Sequence, residues 1–244
     1  MTRPLFLFTT ILLFVYAAQA QPYRSIFGKT STSWTSTRDI PDATTTDSVF
    51  TTFDTVFGGH NYKKVIGKYF GVNGFIREDT ASGKAWFYAN IVTYPYTKDT
   101  ECLIMNLSLS VGDSFGFNFT SYYGKLYFVK VDSVYFVTGR KYIRFKYDLL
   151  YGTAGEEGKF TFIEGIGSTA GILFQHYSWN PFLLCKFMDG QKEYSNNFFQ
   201  GRCWVDLVGI EEKKSNQSLN IFPNPFNGSI TISFNGNIYE KINI

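Results

Sequence analysis

Residues 131–150, VDSVYFVTGRKYIRFKYDLL, alternate apolar and polar side chains on both sides of a glycine turn. Ile143, Phe145, Tyr147 and Leu149 alternate with Tyr142, Arg144, Lys146 and Asp148. A two-residue period is that of a strand with one buried face. Thr138-Gly139 interrupts the alternation where a tight hairpin turn fits. This stretch predicts two antiparallel strands joined by a two-residue turn.

The same pattern of alternating segment, glycine-containing turn and alternating segment recurs along the chain. Glycine-containing turns are predicted at Gly58-Gly59, at Ala81 to Gly83 and at Asp189-Gly190, each between alternating segments. Together they indicate roughly ten to thirteen strands. We predict an all-β fold: a mostly antiparallel meander, closed as a barrel or as a sandwich, with a short C-terminal strand appendage.

Composition supports this fold class and excludes some partners. The 244 residues include 26 Phe, 17 Tyr and 4 Trp, and aromatic residues suit pleated, half-buried surfaces. The 23 Lys plus Arg nearly balance the 20 Asp plus Glu. Nucleic-acid partners require a clustered basic excess, so we predict no nucleic-acid partner.

The first twenty residues have the pattern of a secretory signal peptide. Arg3 precedes an apolar run from Leu5 to Ala18, and Ala18 and Ala20 form an A-x-A pattern. Cleavage is expected between Ala20 and Gln21. A membrane anchor would need about 20 apolar residues, so we expect no transmembrane segment in the mature chain and assign residues 21–208 to one β-rich domain of unknown function.

Residues 209–220, GIEEKKSNQSLN, have the composition of a linker, and residues 221–244 follow it. The stretch LNIFPNPFNGSITISF resembles the start of the C-terminal sorting domain of the type IX secretion system of Gram-negative bacteria. Pro223, Asn224 and Pro225 match the opening motif of that domain, and Ile230 and Ile232 match its alternating strand. Each proline fixes φ and extends the preceding residue, which gives a stiff lead-in to a strand.

The resemblance implies where the protein is delivered, which is its subcellular address. It implies that the type IX secretion machinery is a partner and that the protein passes through the periplasm to the cell surface or the medium. The complete sorting domain of the family is an Ig-like sandwich. The residues after 220 supply about two strands, and an isolated hairpin is marginal in water. We therefore expect a truncated tag that forms a loose hairpin, in a fragment whose natural chain continues past Ile244. These 244 residues alone should reach the periplasm without crossing the outer membrane, whereas the natural chain should cross it.

The central region carries a second resemblance. GFIREDTASGKAWFY, SLSVGDSF, FIEGIGST and LLCKFMDGQKEY, in this order, are similar to segments of uncharacterised β-rich secreted proteins that carry the same tag. This resemblance implies the fold and the address, and it implies no activity.

Glycine and histidine motifs give no cofactor or metal site. Gly165, Gly167 and Ala170 satisfy G-x-G-x-x-A, but a dinucleotide site needs a helix at these glycines, and we expect strand, tight turn and strand. The GKTST stretch at Gly28 lacks the upstream glycine of a phosphate loop. His60 and His176 lack metal-ligand spacing. Ser168 lacks the glycines of a nucleophile elbow. We predict no catalytic residue, no cofactor and no metal.

Two hypotheses about function remain. Aromatic side chains on a sheet could form a platform for a sugar or a peptide; the candidates are Trp86, Tyr88, Tyr122, Tyr123 and Trp179. Alternatively, two carboxylates across a cleft could hydrolyse a polysaccharide or a protein; the candidates are Glu78, Asp79, Asp113 and Glu164. The sequence favours an exported non-catalytic surface or binding domain. A secreted hydrolase is the alternative.

Three cysteines remain for an oxidising compartment: Cys102, Cys185 and Cys203. Cys185 and Cys203 flank the hairpin at Asp189-Gly190. We predict that these two form a disulfide, which stabilises the fold by about 3 kcal/mol in the chain-entropy model.

Overall fold

The computed structural model describes most of the chain between residues 23 and 243. Its ranges are 23–40, 43–68, 73–89, 99–117, 127–149, 158–174, 181–208, 219–222, 229–234 and 237–243. The expected signal peptide with its cleavage site at Ala20 and Gln21, and the Pro223-Asn224-Pro225 motif, lie outside these ranges.

The described residues form seventeen strands. They are β1 (Thr32–Ile40), β2 (Ala43–Phe57), β3 (His60–Gly67), β4 (Asn73–Asp79), β5 (Lys84–Ala89), β6 (Thr100–Asn106), β7 (Ser114–Phe117), β8 (Tyr127–Val137), β9 (Arg140–Asp148), β10 (Lys159–Ile163), β11 (Gly167–Ser168), β12 (Leu183–Met188), β13 (Gln191–Ser195), β14 (Leu207–Val208), β15 (Leu219–Phe222), β16 (Ser229–Phe234) and β17 (Asn237–Asn243).

Two antiparallel sheets build residues 23–208: strands β1 to β6 of the large sheet form a meander to which the β12–β13 hairpin is added beside β1, and the small sheet is a meander of β7 to β11. The large sheet has the order β13-β12-β1-β2-β3-β4-β5-β6, and β14 pairs with β2. The small sheet has the order β11-β10-β9-β8-β7. The all-β prediction is therefore confirmed. Within the described ranges, no helix is long and apolar enough to cross a membrane.

The predicted hairpin turns are also found. β8 and β9 are joined at Thr138-Gly139, and β12 and β13 at Asp189-Gly190. Thr138 has φ 46° and Asp189 has φ 50°, with positive φ at the glycine that follows each. Positive φ at both central residues belongs to the turn whose twist matches that of the flanking strands. Aspartate and glycine tolerate this conformation, which is why the sequence signal was reliable.

One hydrophobic core lies against the inner faces of both sheets. Alternate residues of β5 are buried, so that Phe87 points inward while Trp86 and Tyr88 point outward. In β9, Ile143 and Phe145 are fully buried, as the alternation predicts. Side chains from the two sheets belong to one core cluster. The two sheets therefore share one core.

The predicted disulfide is present. Cys185 of β12 and Cys203 are bonded, with their Cα atoms 5.1 Å apart. Cys102 lies half-buried on β6 and outside this bond. Close by, Thr46 and Val205 exchange hydrogen bonds of 2.7 Å through the threonine hydroxyl. The segment after β13 is thus fastened to β12 and to β2.

The chain divides into two compact units, Met1–Leu207 and Val208–Ile244, one residue from the boundary that the sequence predicts. The second unit holds a three-stranded antiparallel sheet in the order β15-β16-β17. The sequence predicted two strands here and assigned Leu219 and Asn220 to the linker. The difference is β15, whose pairing with β16 includes Ile221 opposite Ile232. Four residues are too few for alternation to stand out, so this strand was missed.

Candidate binding site

The strands β3 and β4 separate near the β2–β3 turn. Their pairing ends at Lys63 opposite Ile76. β3 stays paired with β2 as far as His60, and β4 stays paired with β5 as far as Asp79. Beyond the last shared pair, the two strands therefore leave a wedge-shaped gap in the sheet.

A bulge in β2 accompanies this separation. The register between β2 and β3 shifts between Thr51 and Asp54. A bulge bends its strand and increases the local twist. We attribute the divergence of the β2–β3 hairpin from β4 to this bend.

A cleft of about 480 Å³ occupies the gap. Sites for small molecules typically measure about 300–1,000 Å³. The β2–β3 hairpin contributes residues 54–56 and 61–63, β4 contributes residues 76–78, and Phe27 completes the lining. We call this the β3–β4 cleft.

Residues 23–31, which we call the N-terminal segment, form part of its wall. The carboxylate of Glu78 accepts hydrogen bonds from the Tyr23 hydroxyl at 3.2 Å, from the Ile26 amide at 3.0 Å and from the Ser25 hydroxyl. Burial, together with the charge of Glu78, raises the pKa of Tyr23 above its ordinary value. Because Ile26 is fully buried, Phe27 is held at the edge of the cleft.

The opposite wall carries an ion pair. The Lys63 ammonium donates a hydrogen bond of 2.7 Å to Asp54 and lies 5.8 Å from the centre of the Phe27 ring. The Asp54 side chain is 75% exposed, so the pair contributes about 0–1 kcal/mol to stability. Its main effect is that the positive charge of Lys63 in the cleft is paired with the negative charge of Asp54.

A second charged network closes the gap on the outer face of the sheet. Arg77 donates two hydrogen bonds to Glu101, at 2.5 Å and 2.6 Å, and the Tyr62 hydroxyl donates a third at 2.8 Å. The partner of Arg77 is thus Glu101 on β6, 24 residues away along the chain. The bonds to Glu101 raise the pKa of Arg77. Burial acts to raise the pKa of Glu101, but the bonds from Arg77 and Tyr62 hold it below its ordinary value.

Aromatic rings surround this network on the outer face. Phe57 stacks on Tyr62 with ring centres 4.0 Å apart, and Phe75 and Tyr88 pack against Phe57. The Arg77 guanidinium lies 3.8 Å from the centre of the Trp86 ring. This surface we call the aromatic face.

The structure describes two of the five candidate platform residues. Trp86 and Tyr88 lie together on the aromatic face, while Tyr122, Tyr123 and Trp179 lie outside the described residues. The ring of Trp86 is covered by Arg77 on one side. The most exposed ring beside this group is Phe53, at 54%, with the Lys64 ammonium 5.5 Å from its centre.

Two of the candidate carboxylates hold the N-terminal segment. Glu164 accepts a hydrogen bond from the Arg24 amide at 3.0 Å and another from the Lys141 amide at 2.9 Å. Glu78 binds the same segment from the cleft side. Glu164 does not line the cleft, so these two acids do not form the pair that a hydrolase needs.

The other two carboxylates stabilise turns. Asp79 accepts a hydrogen bond of 2.6 Å from the Ser82 hydroxyl, which lowers the pKa of Asp79. Asp113 accepts one from the Ser110 amide at 2.8 Å. Neither lines the β3–β4 cleft.

The glycine-rich segment after β10 is a buried turn. The Trp34 indole donates a hydrogen bond of 2.8 Å to the Ile166 carbonyl, and the Lys186 ammonium donates one to the Gly165 carbonyl. Gly165 has φ 71°, and residues 158–174 contain no α-helix. Strand, tight turn and strand are confirmed, and the dinucleotide fingerprint lacks the helix that it requires.

The Gly28 turn does hold an anion, and this anion belongs to the protein. The Asp189 carboxylate accepts hydrogen bonds from the amides of Lys29, Thr30 and Ser31 at 2.7–3.0 Å. These amides lower the pKa of Asp189, that of Thr30 most strongly. A Cβ on Gly28 would lie 2.6 Å from Asp189 Oδ1. We call this arrangement the Asp189 nest, since amides of a phosphate-binding loop are arranged similarly.

The histidines do not form a metal site within the described residues. His60 is exposed at the β2–β3 turn, with its ring edge-on to Tyr62 at 6.5 Å. His176 lies outside the described ranges. A search of the described part of the chain finds no group of three His, Cys, Asp or Glu residues suited to a metal ion.

Sequence reasoning missed most residues of the cleft. Because the turn at Gly58-Gly59 was recognised, Asp54 and Lys63 could have been placed close together across the hairpin. Phe27 gave no signal, since the N-terminal segment is positioned by carboxylates distant in sequence. Comparison of the chain with protein-family models, with curated proteins and with solved structures finds no match.

Proposed function

We propose that this chain is an exported, non-catalytic domain that binds an extracellular ligand in the β3–β4 cleft. The observation that carries the proposal is the cleft itself. It combines a suitable volume with an aromatic wall at Phe27 and polar groups at Asp54, Asn61 and Lys63. Convergence of a few polar groups on a concave, partly apolar surface is typical of ligand sites.

The hydrogen bonding of the acids supports binding over catalysis. Both oxygens of Glu78 are engaged by the N-terminal segment, and Asp54 is paired with Lys63. A general acid or a nucleophile must be directed at the substrate. The arrangement of these two carboxylates instead maintains the walls of the cleft.

The hydrolase remains the second candidate because Asp54 and Glu78 line one cleft. It predicts that the purified chain cleaves polysaccharide or protein substrates and that Glu78→Gln and Asp54→Asn each abolish the cleavage. Under the binding proposal, neither variant changes product formation, because the wild-type chain forms no product.

The export address also belongs to the proposal. The A-x-A pattern before Gln21 supports passage to the periplasm. The bond between Cys185 and Cys203 supports an oxidising compartment. The resemblance around Pro223 to Pro225 supports recognition by the type IX secretion machinery, which makes the cell surface or the medium the destination.

Two experiments test the proposal. In a host that has the type IX machinery, mass spectrometry should find a mature N-terminus at Gln21, and the chain should co-purify with outer-membrane components of that machinery. Replacing Pro223 and Pro225 with Ala should reduce the co-purification. An unprocessed chain that stays in the cytoplasm would contradict the address.

The binding role is tested with soluble probes. Calorimetry on the full chain should detect at least one ligand among neutral oligosaccharides, acidic oligosaccharides and peptides, and substitution in the cleft should weaken it. If no probe of the three classes binds in a manner that depends on the cleft, the binding role is wrong.

A further inference from the structure

The charged groups at the β3–β4 cleft already have partners within the protein. Lys63 is paired with Asp54, and Arg77 is paired with Glu101. Glu78 accepts hydrogen bonds from the N-terminal segment. Of these partners, Glu101 is partly buried against Arg77, so a charged ligand that displaced it would incur a large penalty, and the exposed pair of Lys63 with Asp54 offers a charged ligand only a weak, screened interaction. The charge distribution therefore favours a neutral ligand.

The surface of the cleft is a mixture of apolar and polar groups. Phe27 offers a half-buried ring, and Val56 is 68% exposed. Beside them, the Asn61 amide is exposed, and the Lys63 ammonium uses one of its three donors on Asp54. A ligand that fits must present apolar faces and a rim of groups that both donate and accept hydrogen bonds.

The geometry disfavours an extended peptide. A peptide that adds to a sheet edge draws its affinity from a run of main-chain hydrogen bonds. The gap between β3 and β4 spans only residues 60–62 on one side and residues 77–79 on the other. So short an edge supplies few such bonds, whereas a compact ring needs none.

From these observations we propose that the β3–β4 cleft binds a neutral glycan, with the C–H face of one sugar ring against Phe27 and its hydroxyl groups hydrogen-bonded to Asn61, Lys63 and Asp54. A pyranose ring has apolar C–H faces and a rim of hydroxyl groups, so it matches both requirements. This inference rests on the proposed binding function and names the ligand class for the same cleft.

The test uses the full chain and a panel of defined probes. Calorimetry is run with neutral oligosaccharides (gluco-, xylo-, manno- and N-acetylated chito-oligosaccharides), with acidic oligogalacturonates and with unstructured peptides. We expect at least one neutral oligosaccharide to bind. Phe27→Leu keeps an apolar side chain but removes the ring, and it should weaken binding about tenfold. Asn61→Ala should weaken binding about fivefold.

A matched control separates the cleft from exposed rings elsewhere. Phe128 on β8 is 67% exposed and lies on the small sheet, so Phe128→Ala should leave the affinity unchanged. Near-ultraviolet circular dichroism of each variant shows whether the fold is retained. Asn61→Ala changes an exposed residue, so it tests the cleft if Phe27→Leu fails to fold.

Different failures have different meanings. Cleft-dependent binding of only an acidic oligosaccharide or a peptide would overturn the glycan inference and leave the binding function standing. Binding of a neutral glycan that neither cleft variant weakens would place its site elsewhere and would overturn the inference. The absence of any cleft-dependent binding would overturn both.

Discussion

Replacement of Lys186 by Met should remove a specific pH dependence from the stability of the main domain. Lys186 is 0% exposed. Its ammonium donates hydrogen bonds to the Gly165 carbonyl and to Met188 Sδ and lies 5.6 Å from the centre of the Trp34 ring. Burial, together with the charge of Arg140, lowers the pKa of Lys186 to about 7, against the opposing effects of Glu78 and Glu193.

The sign and the size follow from proton binding. The unfolded lysine titrates near 10.5 and the folded one near 7, so between these values the unfolded state binds more protons. Stability therefore rises as the pH increases through this window. With about 1.36 kcal/mol for each pKa unit, the full difference is about 5 kcal/mol, and the part recovered between pH 7 and pH 9 is about 2 kcal/mol.

The measurement is urea unfolding of the full chain with its disulfide intact, at pH 7, 8 and 9, followed by tryptophan fluorescence. The wild-type free energy of unfolding should rise by about 2 kcal/mol relative to Lys186→Met over this range. Lys192→Met, which changes an exposed lysine on the edge strand β13, should retain the wild-type slope. Parallel curves for wild type and Lys186→Met would refute the reasoning, because Lys186 would then titrate alike in both states.

Three further changes probe the framework of the domain. Cys185→Ser removes the bond to Cys203, 18 residues away in the chain, and should lower the free energy of unfolding by about 3 kcal/mol. A reductant should destabilise the wild type by a similar amount and leave the variant unchanged; equal effects on both proteins would contradict the contribution of this bond. Asp189→Asn weakens the Asp189 nest. Because the folded pKa of Asp189 is lowered, the ionised carboxylate stabilises the wild type above about pH 4, and this stabilisation is lost on acidification. The variant should lack this pH dependence, and thermal melts that show equal acid sensitivity in both proteins would contradict the prediction. Glu164→Gln places an NH₂ group against the Arg24 or Lys141 amide and should lower the free energy of unfolding by about 1–3 kcal/mol. Urea unfolding with no change beyond error would show that the hydrogen bonds of Glu164 to these amides contribute little to stability.

The local structure of the domain, meaning its turns and the buried faces of its strands, could be predicted from the sequence. The turns at Thr138-Gly139 and Asp189-Gly190 could be predicted because each contains a glycine, which accepts positive φ. The burial of Ile143 and Phe145 follows from alternation alone. The bond between Cys185 and Cys203 could be predicted because the two cysteines flank the Asp189-Gly190 hairpin. In the structure the hairpin sets Cys185 opposite Ser195, and the chain after β13 returns Cys203 to β12.

The candidate site depends on interactions that no local pattern encodes. The cleft requires a bulge in β2, a lost pairing between β3 and β4, and a wall that Glu78 holds from 52 residues away along the chain. The choice of Glu101 as the partner of Arg77 depends on the order of β4, β5 and β6 in the sheet. Arg77 and its sequence neighbour Glu78 point to opposite faces of β4, so they take part in different networks.

The pairing of β1 with β12 has a consequence for how the chain is made. Thr35 of β1 bonds Cys185 of β12 across 150 residues of sequence, so a central seam of the large sheet has a very high contact order. Contacts of this kind form late, and domains dominated by them fold over about milliseconds to seconds. Until β12, which begins at residue 183, has left the ribosome, the edge of β1 that faces away from β2 has unpaired backbone groups. Another nascent chain can pair with that edge. Incomplete chains, more than finished ones, should therefore be the form that aggregates and that chaperones must hold.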